Sequence, residues 1–184
     1  MMRAAQPAFD VLGLQHLGAQ RIVIVSGGRG AGKTGFCQVL VMVARSAGLV
    51  VAGLVSPAVF VQGGKTAIDL SDLASAETRR LAERARADAP GTAGLGWRFD
   101  PTVLEWGNQV LQAAAASDLL VIDELGPLEF LGQGGLSAGF AAIEDGRHRQ
   151  VIVVVRPELI AAARLRWPGA IVVEPAPGLS KQSQ

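Results

Sequence analysis

The 184-residue chain is 49% hydrophobic and 18% charged, with a net charge of +1. That balance fits an α/β domain with a substantial core and excludes a disordered chain. It gives no electrostatic basis for nucleic acid or an acidic membrane surface as the main partner.

Residues 1–20 are mixed and turn-rich, an N-terminal extension that reads either as a short helix or as a loose arm. "RIVIVSGG", from Arg21, is a β-branched run ending in glycines, the pattern of a buried parallel strand. Lys33 to Ala47 suits a helix, and Gly48 supplies the stop. "LVVAGLVSPAV" is a second apolar strand ending near Pro57, and "VFVQGGKTAIDL" reads as a hairpin around Gly63-Gly64. "ASAETRRLAERARADA" is helical by propensity, with a short exposed strand over "ETRRLA" as the alternative. "PGTAGLG" is a loop.

Asp100 and Pro101 provide an N-cap and first-turn proline for a helix through about Ala116. "DLLVID" is another buried strand, Leu136 to about Asp145 a helix, and "QVIVVV" a strand. "PELIAAARLR" is a helix opening on proline, and "GAIVVE" is the last strand. Residues 21–174 then form one domain, and 175–184 a frayed tail. Strands alternating with helices predict an α/β fold, with a mostly parallel sheet covered on both faces.

Cys37 is the single cysteine, which excludes an internal disulfide and a Cys-rich zinc site. The first residues lack the apolar run of a signal peptide, and no apolar run approaches the ~18 residues that span a bilayer. The expectation is a cytoplasmic protein with no membrane partner.

"GGRGAGKT", Gly27 to Thr34, fits the pattern G-x-x-x-x-G-K-[ST] of a phosphate loop, the Walker A motif. It follows a predicted strand and opens a predicted helix, as a phosphate-binding loop must. Gly27, Gly28, Gly30 and Gly32 let backbone N–H groups wrap anionic oxygens, with Arg29, Ala31 and Gly35 completing the nucleotide-binding stretch. Lys33 can neutralise β- and γ-phosphate charge, and Thr34 can offer its hydroxyl to Mg²⁺. Only three lysines occur, so one falling at this position carries weight.

Downstream, "LLVIDELGPLEF" climbs through apolar residues to Asp123 and Glu124. Ligands of open α/β sheets sit at such carboxyl strand ends. Asp123 is the candidate second Mg²⁺ ligand, and Glu124 the candidate group that orients or deprotonates water. For Glu124 the competing reading is a turn cap or a solvated acid. Glu129 shapes either the site or the turn.

The loop "GGRGAGKT" together with "DELGPLE" resembles the small P-loop enzymes called cancer-related nucleoside-triphosphatase. Their D-E-[apolar]-G-x-[apolar]-E signature is matched from Asp123 to Glu129. The similarity runs in order through "AGLVSPAV", "KTAIDLSDL", "GWRFDPTVLEWGNQVLQAA" and "VIVVV", roughly residues 20–174. The resemblance implies a RecA-like fold with an inserted β-hairpin, and Mg²⁺-dependent hydrolysis of a nucleoside triphosphate, ATP or GTP, to the diphosphate. It implies that Lys33, Thr34, Asp123 and Glu124 carry the reaction, and it favours strand over helix for "ETRRLA". The chain departs from the family's T-x-E-x-R stretch, with Ala58 and Phe60 at the acidic and basic places.

Other residues keep two readings. Arg29 reaches a phosphate or a neighbouring subunit, or is a plain loop charge. Arg156, at another strand end, senses the γ-phosphate or is a surface charge. The cluster Arg79, Arg80, Arg84 and Arg86 is a kinase-like lid or a solvated face. Trp97 stacks on a base or packs, whereas Trp106 and Trp167 pack. His16 and His148 are too few for a metal site. The rival functions are a nucleoside or nucleotide kinase, and a nucleotide-gated regulatory protein with little hydrolysis. A missing arginine finger points to an activating protein partner or a homo-oligomer.

Overall fold

A computed structural model describes residues 21–85 and 96–175 of the chain. The predicted N-terminal extension, the "PGTAGLG" loop up to Leu95, Arg86 and nearly all of the C-terminal tail lie outside the described residues.

The elements in chain order are β1 (Ile22–Val25), α1 (Lys33–Ser46), β2 (Val51–Val55), β3 (Ala58–Val61), β4 (Gly64–Asp72) and β5 (Thr78–Arg84). They continue with β6 (Trp97–Phe99), α2 (Pro101–Ala113), β7 (Leu119–Leu125), the single turn α3 (Pro127–Phe130) and α4 (Ala138–Glu144). β8 (Gln150–Val155), a 3₁₀ turn (Pro157–Leu159), α5 (Ile160–Arg166) and β9 (Ile171–Val173) complete them.

One sheet holds all nine strands in the order β6-β5-β4-β2-β7-β8-β1-β9, with β3 paired to β4. From β2 to β9 every pairing is parallel. From β2 outward through β4, β5 and β6 every pairing is antiparallel. The insertion is therefore larger than the hairpin expected from the sequence, because β4 to β6 extend the sheet itself.

The strands alternate in the sense a two-sided core demands. In β1 and β8, Ile24, Val151, Val153 and Val155 face a cluster shared with α2, α4 and α5. Val23, Val25, Ile152 and Val154 face a second cluster against α1, filled by Phe36, Cys37, Leu40, Val41 and Ala44. Those five helical positions fall on one stripe, as an amphipathic helix requires. Covered on both faces, β7 and β8 need almost continuous apolar sequence, which is why "LLVI" and "VIVVV" read so clearly.

Capping follows the sequence closely. The Asp100 carboxylate accepts from the Thr102 N–H at 2.8 Å, and Pro101 opens α2. α2 ends at Ala113 rather than near Ala116, and α4 begins at Ala138 rather than Leu136. "PELIAAARLR" opens as a 3₁₀ turn before becoming helical.

The propensity reading of "ETRRLA" as helix is corrected to strand. β5 pairs with β4 from Thr78 to Glu83, burying Leu81 and Ala82. Tertiary pairing outweighs the few tenths of a kcal/mol per residue, in order of magnitude, by which these residues favour helix. The hairpin turn centres on Gln62 and Gly63, both at positive φ, one residue earlier than the Gly63-Gly64 pair suggests.

Candidate functional site

The loop after β1 is held at its start by the Ser26 N–H, which donates to Val173 O of β9 at 2.9 Å. Gly30 and Gly32 take φ of +81° and +80°, the left-handed region that an L side chain resists. Gly32 caps α1 without any side-chain hydrogen bond, and no acid stands in the first helical turn. The orphan N–H groups of that turn are thus left for an external anion, with the helix dipole behind them. Gly28, Arg29, Gly30 and Ala31 are exposed along the loop, Gly27 is buried, and Gly35 is half-buried on α1. The Lys33 ammonium donates to Gly27 O at 2.7 Å and Gly28 O at 3.0 Å, bracing the loop.

Asp123 stands at the carboxyl end of β7, 3% exposed. The Ser56 N–H, just past β2, donates to its Oδ2 at 3.0 Å, and the Thr34 side chain interacts with the same carboxylate. Burial raises the Asp123 pKa to about 6. The hydrogen bonds from Ser56 and Thr34 oppose that shift, neighbouring Glu124 adds to it, and Lys33 offsets part of it. Ser56 also donates its hydroxyl to Asp123 O at 3.1 Å, clamping the acid from the neighbouring strand.

Glu124 lies in an irregularity that the sequence does not show. Ile122 pairs with Val153 and Leu125 with Val155, so three steps on β7 oppose two on β8. The extra residue makes a β-bulge, a device that re-aims a side chain at a strand end. Glu124 takes φ of +90°, a conformation that costs a non-glycine residue about 1–3 kcal/mol. Its carboxylate forms an ion pair with Arg156, the residue after β8. β8 lies between β1 and β7, so Arg156 stands between the phosphate loop and the acids.

Glu129 settles as a turn-shaping residue. Its Oε2 accepts from the Gly126 N–H at 2.8 Å and its Oε1 from the Leu136 N–H at 2.7 Å. Burial raises its pKa above the ordinary glutamate value, while these hydrogen bonds pull the other way. It closes α3 and fixes the chain immediately after the bulge.

The set Lys33, Thr34, Asp123, Glu124 and Arg156 therefore gathers at the carboxyl edge of the parallel strands. Among the described residues no three His, Cys, Asp or Glu side chains cluster as a metal cage. Thr34 and Asp123 instead present two hard oxygens that interact electrostatically. That donor set fits Mg²⁺, which characteristically takes one or two protein oxygens and completes its shell with phosphate and water.

Other candidates fall elsewhere. Arg79 pairs with Glu77 and stacks over Trp106 at 4.4 Å, and Arg80 pairs with Asp69, so these two are committed on β5 and form no lid. Arg84 is exposed on the same strand. His148 is buried, with Nδ1 hydrogen-bonded to Ser117 Oγ at 2.8 Å. Trp167 is buried and donates to Glu144. Cys37 is buried in the core, its pKa raised by burial and then by Asp123, which leaves it an inert thiol. Sequence reasoning missed Ser56, whose role depends on β2 lying beside β7. It also missed Lys65, whose charge interacts with Glu124, Arg29, Asp123 and Arg156 from 59 residues away in sequence from Glu124.

The five parallel strands, with a glycine-rich phosphate loop after β1 and β8 inserted between β1 and the acidic strand β7, define the RecA-like P-loop NTPase fold. Residues 22–166 match the sequence profile of the NTPase family, and the chain belongs to that family. Its fold is similar to the solution structure of a human cancer-related nucleoside triphosphatase. The two share 20% identity and a TM-score of 0.64, over 87% of this chain and 91% of that one. It is also similar to the crystal structure of THEP1 from the hyperthermophile Aquifex aeolicus, with 18% identity and a TM-score of 0.62, over 85% of this chain and 90% of that one. No curated protein matches the chain. No described helix is long and apolar enough to cross a membrane.

Proposed function

We propose that this protein is a Mg²⁺-dependent nucleoside-triphosphatase that cleaves ATP or GTP to the diphosphate and phosphate. The observation that carries the reading is the buried Asp123, held by Ser56 at the carboxyl end of β7, with Glu124 beside it in a β-bulge and the Lys33–Thr34 loop at the same sheet edge. Family membership supports the substrate class.

The loop N–H groups and the start of α1 would receive the phosphate chain. Lys33 would exchange its two carbonyl partners for β- and γ-phosphate oxygens, a charge-assisted gain over its present contacts. Thr34 and Asp123 would hold Mg²⁺, which when bound would neutralise charge on the phosphate chain. Glu124 would orient a water for in-line attack on the γ-phosphorus and receive its proton as the bond to the β,γ-bridging oxygen breaks. Ser56 and Glu129 would hold the acids in place.

The test is phosphate release from ATP and GTP with Mg²⁺, comparing wild type with Glu124→Gln and Lys33→Ala. Glu124→Gln is expected to keep nucleotide binding and lose hydrolysis by about 100-fold or more. Lys33→Ala is expected to lose both. Hydrolysis persisting unchanged in Glu124→Gln would refute the mechanism. Transfer of phosphate to an added nucleoside or nucleotide would replace it with a kinase.

A further inference from the structure

The last residues of β4 paired with β2 are Ser71, opposite Val55, and Asp72, opposite Leu54. From Ser71 the strand runs on past the carboxyl edge of β2, and Lys65 lies six residues farther. That is roughly 20 Å of strand at about 3.3 Å per residue. Register shifts at Val59/Phe60 and at Ile68/Asp69 bend the β3–β4 hairpin on the way. The outcome is a lysine whose charge interacts with Glu124 and Asp123 at the end of β7, and with Arg29 in the phosphate loop.

The ammonium of Lys65 rests 5.0 Å from the centroid of the Trp97 ring on β6. Lys65 is half-buried, and its ammonium makes no hydrogen bond or ion pair among the described residues. Burial lowers its pKa from the ordinary lysine value, with Glu124 opposing that shift. The other cations around the site are differently placed. Lys33 is turned onto loop carbonyls, Arg156 is paired with Glu124, and Arg29 is exposed. Only Lys65 among these four is partly desolvated while its N–H donors face no acceptor. An aromatic face offsets part of the desolvation and holds the side chain, yet supplies no hydrogen-bond acceptor.

We propose that Lys65 is the γ-phosphate cation of this site, supplied in cis by the β3–β4 hairpin and held ready by Trp97. It would do what an arginine finger does, stabilising charge on the γ-phosphoryl group as it leaves, without a residue from another subunit. Because it reaches from the hairpin side rather than from the loop, it would touch a triphosphate and miss a diphosphate. The inference rests on the proposed nucleotide site and adds to it the residue that discriminates the two nucleotides.

The experiment uses the full chain with Mg²⁺. Calorimetric affinities are measured for ADP and GDP and for the non-hydrolysable β,γ-imido analogues of ATP and GTP, alongside phosphate release. Lys65→Ala is expected to weaken the imido analogue about 10-fold more than the diphosphate and to lower kcat about 100-fold, the size of losing one transition-state donor. Lys65→Arg is expected to restore most of both. Trp97 fluorescence is expected to change with the imido analogue but not with the diphosphate, and the change should vanish in Lys65→Ala. Lys65 is half-exposed, so a thermal melt matching wild type will show the variant folded.

Equal effects on diphosphate and triphosphate, or none, would overturn the role of Lys65 while leaving the hydrolase intact. A wild type that binds nucleotide but releases no phosphate would overturn the hydrolase. Lys65 would then stand or fall on the affinity difference alone. Failure of wild type to bind any of the four nucleotides would overturn both.

Discussion

Asp123 is an acid placed where its charge is costly, and the cost is measurable. Its folded pKa of about 6 lies above the ordinary aspartate value of 3.8, chiefly through burial. A shift of about 2.2 units corresponds to about 3 kcal/mol between the two protonation states. The folded state holds the proton more tightly than the unfolded one. The contribution is thus fully present below pH 3.8 and is lost as pH rises through about 6. Between pH 5 and pH 8 the loss attributable to this one group is about 1.4 kcal/mol. Asp123→Asn removes the titration and retains an oxygen for the Ser56 N–H and the Thr34 hydroxyl. Urea denaturation of both proteins across pH 5 to 8, without nucleotide, gives the difference directly. Relative to wild type, Asp123→Asn is expected to gain about 1.4 kcal/mol over that range, with Glu129 cancelling because both proteins retain it. With Mg²⁺ and a nucleotide present the advantage should shrink, because the deprotonated carboxylate then has a partner. A wild type–variant difference that stays flat from pH 5 to 8 would refute the assignment of a raised pKa.

Two further outcomes are expected. Gly53→Ala places a Cβ 2.0 Å from Val121 O at φ of +106°, a backbone collision in the middle of the sheet. It should cost about 3 kcal/mol or more in chemical denaturation, and a loss under 1 kcal/mol would mean that β2 and β7 can separate freely. Arg156→Ala removes the ion-pair partner that fixes Glu124 at the bulge. It should lower kcat about 100-fold through misplacement of the carboxylate, with diphosphate affinity unchanged, and an unaltered kcat would show that Glu124 is positioned without it.

The parallel half of the fold was legible because its strands are covered on both faces. Such strands must be almost wholly apolar, and "RIVIV", "LLVI" and "VIVVV" announce them. In the antiparallel half the β3–β4 hairpin was legible from its glycine turn, but β5 and β6 were not, because the one is largely exposed and the other very short. β5 carries Arg79, Arg80 and Arg84 on an exposed surface, so only Leu81 and Ala82 signal burial, too few for a period-2 pattern. β6 is three residues long, and its existence depends on β5 lying next to it. Helix ends shifted by a few residues for a comparable reason, since fraying and 3₁₀ turns are set by neighbours rather than by propensity.

For the site, the division follows chain distance. The phosphate loop is contiguous, so its eight residues carry their own spacing and their own chemistry. Asp123 and Glu124 are adjacent, and the apolar run before them places them at a strand end. What each acid does, however, is decided by residues that only the sheet order brings near. β2 beside β7 delivers Ser56 to Asp123, and β8 beside β7 delivers Arg156 to Glu124. The bulge at the two acids is a one-residue mismatch between strands, a relation that neither strand encodes alone. Lys65 is the farthest case. It lies on a hairpin whose reach depends on two register shifts, and its sequence neighbours mark it only as a residue after a turn. In the proposed mechanism a contiguous motif would receive the phosphate, whereas the groups that would act on its terminal bond are set by strand pairing. That is why a phosphate-loop pattern identifies binding more readily than it identifies the reaction.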